Sequence, residues 1–145
     1  MPIPFFRLLL IEDDKLRVER FQSWLPKNTR LVTATSAGSA LGILERDPPG
    51  TYGGIMLDHD LQQQTKTNED TALSGSNLVT VIIRTVARSV AILIHSMNIT
   101  RARAMAERLD RSGYWVTRIS MDQLTESQFR DWVEEAREIW EDGYR

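Results

Sequence analysis

The strongest constraint on this chain is a fivefold alternation, in which a short apolar run is followed each time by a segment of helical periodicity. The runs are Phe5 to Ile11, Arg30 to Ala34, Tyr52 to Leu57, Val90 to Ile94 and Tyr114 to Ile119. Short, nearly continuous apolar runs of this kind are expected of strands buried on both faces. Between them, Asp14 to Leu25 places Leu16, Val18, Phe21, Trp24 and Leu25 at roughly helical spacing, and Pro26 stops it. Ser36 to Arg46 puts Ala37, Ala40, Leu41 and Leu44 on one face and ends in the turn Asp47-Pro48-Pro49-Gly50. Ser76 to Arg88 is apolar nearly all round, which predicts a well-buried helix. Thr100 to Arg111 is a helix closed by Gly113. The last helix opens with a capping box, Thr125 and Gln128, with Leu124 and Phe129 placed for a hydrophobic staple. Its core stripe is Phe129, Trp132, Val133, Ala136, Ile139 and Trp140.

This alternation predicts an α/β fold, a doubly wound five-stranded parallel sheet with helices on both faces. The common open order for five such units is 2-1-3-4-5, with ligands beyond the carboxyl ends of the strands, where strands 1 and 3 part. At 145 residues the chain is expected to form one domain, residues 1–145. It has no cysteine, which excludes disulfides, thiol chemistry and Cys-based zinc sites. The formal net charge of −2 gives no bulk attraction to duplex nucleic acid or to an anionic membrane. The apolar start carries Arg7 and runs at once into acids, so it reads as a buried strand and not as a leader, and a cytoplasmic location is expected. One polar stretch, Gln62 to Gly75, has no apolar period, and its length is of the kind found in functional or disordered loops.

The predicted strand ends carry the chemistry. Strand 1 ends in Glu12-Asp13-Asp14, strand 3 in Asp58-His59-Asp60 and strand 4 in His95-Ser96-Met97-Asn98. In the order 2-1-3-4-5 these three strands are neighbours, so the ends converge. Clustered carboxylates repel one another and need a cation. Lys15 is the one lysine in these segments, so a hard divalent ion, Mg²⁺ or Mn²⁺, is the expected partner. Asp13 and Asp58 are the leading ligands and Glu12 the next, while Asp14 serves equally well as the cap of the first helix. His59 and Asp60 are expected to support the site from outside it. His95 is either a structural donor or a general acid–base. The start of the fourth helix favours an anion, which Arg101 could reach. No glycine-rich phosphate loop occurs.

These residues resemble the receiver domains of two-component response regulators, whose fold is flavodoxin-like (CheY-like). The segment LLLIEDDKLRVERFQSWL is similar to their first strand and acidic pair, which puts Glu12 and Asp13 at the metal-holding positions and Asp58 at the phosphoacceptor. Two hallmark positions depart from that pattern. His95 or Ser96 stands where Thr or Ser is usual, and the lysine after strand 5 is missing, Arg118 being the nearest cation. The motifs LDHDL and IHSMN resemble instead an offshoot of the receivers, the cyclic-phosphate-processing receiver family, with a Ser74-Gly75 pair in place of its Thr-Gly. The resemblance assigns Asp58, His59, Asp60, His95, Ser96 and Asn98 to that family's motifs, with Glu12 where it usually has Asp.

Three functions follow as expectations. The first is binding or hydrolysis of a cyclic phosphate, a cyclic nucleotide or a cyclic-phosphate end. In it Asp58 and His95 are catalytic, Glu12, Asp13 and Asp58 hold the metal, and Ser96, Asn98 and Arg101 hold the anion. The second is a receiver phosphorylated on Asp58 that signals through a partner protein, against which the missing lysine counts. The third is a non-catalytic interaction module, against which the retained acids and His95 count.

Overall fold

The computed structural model describes residues 5–59 and 75–143. The predicted alternation is present: β1 (Phe6–Ile11), α1 (Lys15–Trp24), β2 (Thr29–Ala34), α2 (Ala37–Arg46), β3 (Gly54–Leu57), α3 (Gly75–Thr85), β4 (Ala91–Ile94), α4 (Ile99–Arg111), β5 (Val116–Arg118) and α5 (Glu126–Asp142). The strands form one parallel sheet in the order β2-β1-β3-β4-β5, as the alternation predicted. This is the flavodoxin-like arrangement.

Strand periodicity divides the core in two. Leu9 and Ile11 of β1, Ile55 and Leu57 of β3, and Ile92 and Ile94 of β4 face α2, α3 and α4. Phe6, Leu8 and Leu10, Met56, and Ala91 and Leu93 face α1 and α5. Both faces are covered, which is why these strands show no polar alternation in the sequence. Phe129, Trp132, Val133, Ala136 and Trp140 are the buried stripe of α5, whose capping box between Thr125 and Gln128 is formed as expected. Gly113, at φ 100°, follows α4 in a conformation that favours glycine.

Some boundaries differ from the sequence expectation. β3 starts at Gly54 instead of Tyr52. The amide of Gly53 bonds Arg7 O and a Cβ at Gly53 would overlap the Phe6 ring, so the chain enters the sheet tightly at that point. α3 ends at Thr85, short of Arg88. The Arg88 guanidinium accounts for this, because it bonds the carbonyls of Ile83, Val86 and Ser112 and so closes the helix end from outside. β5 is also shorter than expected, three residues long. Asp60, Ser74 and nearly all of the polar stretch 62–75 lie outside the described residues. Among the described residues, no helix is long and apolar enough to cross a membrane.

Candidate functional site at the carboxyl edge of the sheet

Sheet register builds the site. Ile11 pairs with Leu57, and Leu57 pairs with Ile94. The next residue of each strand is therefore Glu12, Asp58 and His95, side by side in one row. Their amides continue the ladder, Glu12 N to Ala34 O, Asp58 N to Ile11 O and His95 N to Leu57 O. By alternation the row shares its face with Leu10, Met56 and Leu93, beneath α1. The three side chains offer ligand atoms that all lie within 4.8 Å of one another, and all three residues are buried. Asp13 is one step further along the chain. It is buried at the same edge but is not a member of that triad.

Each member of the row is held. Glu12, fully buried, accepts from the amides of Asp13 (3.0 Å) and Asp14 (3.1 Å) with Oε2. Its Oε1 lies 2.9 Å from His95 Nε2. Burial pushes the Glu12 carboxyl up, but His95, the Asp14 amide and Arg17 together bring it below its usual value. With Glu12 ionised, the contact requires a proton on Nε2, so the imidazole donates. The His95 ring sits edge-on to Phe21 at 5.1 Å, and its Nδ1 is buried with no hydrogen-bond partner among the described residues.

Asp58 behaves oppositely. Burial, and then the negative charge of Glu12, push its pKa up to about 6, against the opposing pull of His95, the Ser96 hydroxyl bond and Arg17. Two neighbouring buried carboxylates therefore titrate far apart, as expected of a pair that shares too little positive charge.

The sequence reading looked to Lys15 and then to a metal for that charge, and it missed Arg17. Arg17 lies four residues before Phe21, so the two share the sheet-facing side of α1. Its Nη1 is 3.3 Å from Asp58 Oδ2 and 3.5 Å from Glu12 Oε1, and its Nη2 rests on Met97 Sδ at 3.1 Å. The helix enters at the right place because Asp14 caps it, accepting from the amides of Leu16 (2.9 Å) and Arg17 (3.2 Å). Of its two expected roles, Asp14 therefore performs capping. The spacing of cap, arginine and Phe21 was visible in the sequence, but the partner of the arginine was not.

The remaining site residues are placed as follows. Ser96, buried, bonds Asp58 through its hydroxyl and accepts from the Asn98 amide at 3.2 Å. Asn98 caps α4 by accepting from the Arg101 amide at 3.1 Å, and the Arg101 side chain is exposed. His59 is half-buried in the turn after β3, and its carbonyl accepts from the Gly75 amide at 3.0 Å. A Cβ at Gly75 would lie 2.6 Å from Asp58 O and from His59 Cα. Only glycine lets α3 start this close to the strand end that carries Asp58.

The fold is met again in known proteins. A family model described as the cyclic-phosphate processing receiver domain matches residues 7–111, from β1 through α4. The chain belongs to this family. The signal receiver domain of an HD domain-containing protein from Pseudomonas fluorescens Pf-5 superposes with a TM-score of 0.73 at 16% identity, covering 96% of this chain and 99% of that one. A sensor protein from Polaromonas sp. JS666 gives 0.66 at 22% identity, covering 94% and 99%. The receiver domain of a sensor histidine kinase from Pseudomonas aeruginosa PAO1, described with a magnesium ion coordinated in its active site cleft, gives 0.65 at 17% identity, covering 91% and 97%. At these identities the solved structures establish the shared fold. No curated protein sequence matches the chain.

Proposed function

We propose that this receiver-family domain binds a cyclic phosphate at the Glu12–Asp58–His95 row and opens the ring by hydrolysis. One observation carries the reading. A fully buried histidine is bonded to one carboxylate of a pair, and the other carboxylate has its pKa raised to about 6. A hydrolase needs proton donors and acceptors poised near neutral pH, and a buried histidine paired with a carboxylate supplies them.

The donor set fits a divalent cation. The two buried carboxylates and the imidazole converge within 4.8 Å, and burial and the Glu12 charge push Asp58 up, which a bound cation would relieve. Glu12 and Asp58 would hold Mg²⁺ or Mn²⁺, with Asp13 alongside. Such an ion, when bound, supplies charge neutralisation and polarises a phosphoryl oxygen.

The chain's own groups do the rest. Ser96, the amides opening α4 and Arg17 surround the anion. The second nitrogen of Arg17 rests on a thioether, a weak acceptor that a phosphoryl oxygen readily replaces. Water adds to phosphorus as one ring P–O bond breaks. Asp58, ionised, takes the proton of the water, and His95 in its imidazolium form, its charge balanced by Glu12, gives one ring proton to the leaving oxygen and is left neutral. The product is a monoester.

The test is incubation with adenosine 2′,3′-cyclic phosphate and Mg²⁺, with products separated by chromatography. Wild type is expected to release adenosine monophosphate, and Asp58→Ala none. Equal release by both proteins would overturn the assignment.

A further inference from the structure

A cavity of about 420 Å³ opens beside the acidic row, between the β4–α4 and β5–α5 connections. Ser96 belongs to both, lining the cavity while its hydroxyl bonds Asp58. Met97, Ile99, Ala102 and Ile119 supply its apolar lining, and the charged Asp122 lies among its polar residues. Arg118 and Gln123, both exposed, line it as well. From these features we infer that the cavity is a nucleoside site, which takes the base and ribose of a substrate whose cyclic phosphate lies at Asp58. The inference rests on the cyclic-phosphate reading for its placement, and its test does not.

Three observations point the same way. The volume falls inside the roughly 300–1,000 Å³ of small-ligand pockets, and its lining sets apolar side chains beside polar ones. Four large apolar side chains are exposed among the described residues, and two of them, Met97 at 49% and Ile99 at 61%, line this one cavity. Exposed apolar surface gathered at a concave site is surface that a ligand covers. The lining also holds polar groups with nothing to do, since neither the Arg118 guanidinium nor the Gln123 amide has a hydrogen-bond or ion-pair partner among the described residues. By contrast, Ser120 is engaged with Asp122 and Gln128 with the cap of α5.

A planar base matches this lining better than a polyol does. Its faces bury against Met97, Ile99 and Ile119, and its edge presents donors and acceptors that the Gln123 amide can complement. The Arg118 guanidinium offers a flat cation that stacks on a base. A sugar phosphate without a base would leave these apolar side chains wet.

The test uses nucleosides that carry no phosphate. The ¹⁵N-labelled protein is titrated with adenosine and with uridine, without metal, and amide shifts are followed. Saturable shifts at Met97, Ile99, Ala102, Ile119 and Gln123 are expected for at least one nucleoside. Ile99→Asp should weaken that binding by about tenfold or more, roughly the contribution of one buried aliphatic side chain. Gln123→Ala, at an exposed position, should weaken it without changing the spectrum elsewhere. No saturable shift from either nucleoside, shifts away from the cavity, or binding that both substitutions leave unchanged would each overturn the inference. Because no phosphate is present, these outcomes are independent of whether the acidic row hydrolyses anything.

Discussion

Asp58→Asn should make the metal-free protein more stable at neutral pH. Asp58 has a pKa of about 6 in the folded protein against 3.8 for an unperturbed carboxyl. The folded state therefore holds its proton more tightly than the unfolded chain does. Stability linked to this group is complete below about pH 4 and is lost as pH rises through about 6. A difference of about two units corresponds to about 3 kcal/mol at most. Asparagine keeps the shape and removes the charge, but it weakens the bonds to Ser96 and to Arg17. The net gain above pH 7 is then expected at about 1–3 kcal/mol, or roughly 2–10 °C in melting temperature for a chain of this size. The assay is urea unfolding of both proteins between pH 4 and 8 in the presence of chelator. The two curves should meet near pH 4 and separate with rising pH, and excess Mg²⁺ should close the gap by stabilising wild type alone. An Asp58→Asn protein less stable than wild type at pH 7.5, or a difference that does not vary with pH, would refute the claim that burial and Glu12 strain this carboxylate.

Four further outcomes follow. His95→Ala leaves Glu12 Oε1 buried without its donor and removes the ring from Phe21. It should cost about 2–4 kcal/mol in thermal or urea unfolding, and a loss under about 0.5 kcal/mol would show that the Glu12 contact carries nothing. Arg17→Ala should tighten Mg²⁺ binding several-fold by calorimetry while weakening phosphate-anion binding, because one cation is removed from between two acids; movement of both affinities in the same direction contradicts that position. Gly75→Ala should destabilise by about 1–3 kcal/mol through the clash with the Asp58–His59 backbone, whereas an unchanged melting temperature would mean that α3 yields freely. Asp14→Ala should cost about 1 kcal/mol as a lost cap, with Asp14→Asn close to neutral, and equal losses for the two would point away from capping.

Much of this architecture was legible in the chain. The buried runs ending in Ile11, Leu57 and Ile94 fixed where strands stop, and the strand order brought their acidic and histidine successors together. Thr125 with Gln128, and Asp14 before Leu16 and Arg17, are local devices, readable because their partners lie within a few residues. Contacts across the fold were harder to read. That His95 meets Glu12, and that Asp13 stands outside the row, depends on pairing register, where one step turns a side chain to the other face. Arg17 was indistinguishable from Arg20 as a helix cation until α1 was laid against Asp58. Asn98, expected at the anion, also caps α4 through its Oδ1, a use its position just before α4 made available. The cavity bounded by Arg118, Ile119 and Gln123 arises from a short β5 and the turn after it, which carry no periodic signal.

The most direct test of the central claim is a phosphorus NMR time course. Nucleoside 2′,3′-cyclic and 3′,5′-cyclic phosphates are each incubated with Mg²⁺ and either wild type or Asp58→Ala. The account predicts that the cyclic resonance of at least one substrate gives way to a monoester resonance with wild type and persists with the variant. Persistence of both cyclic resonances with wild type would contradict hydrolysis at the Glu12–Asp58–His95 row.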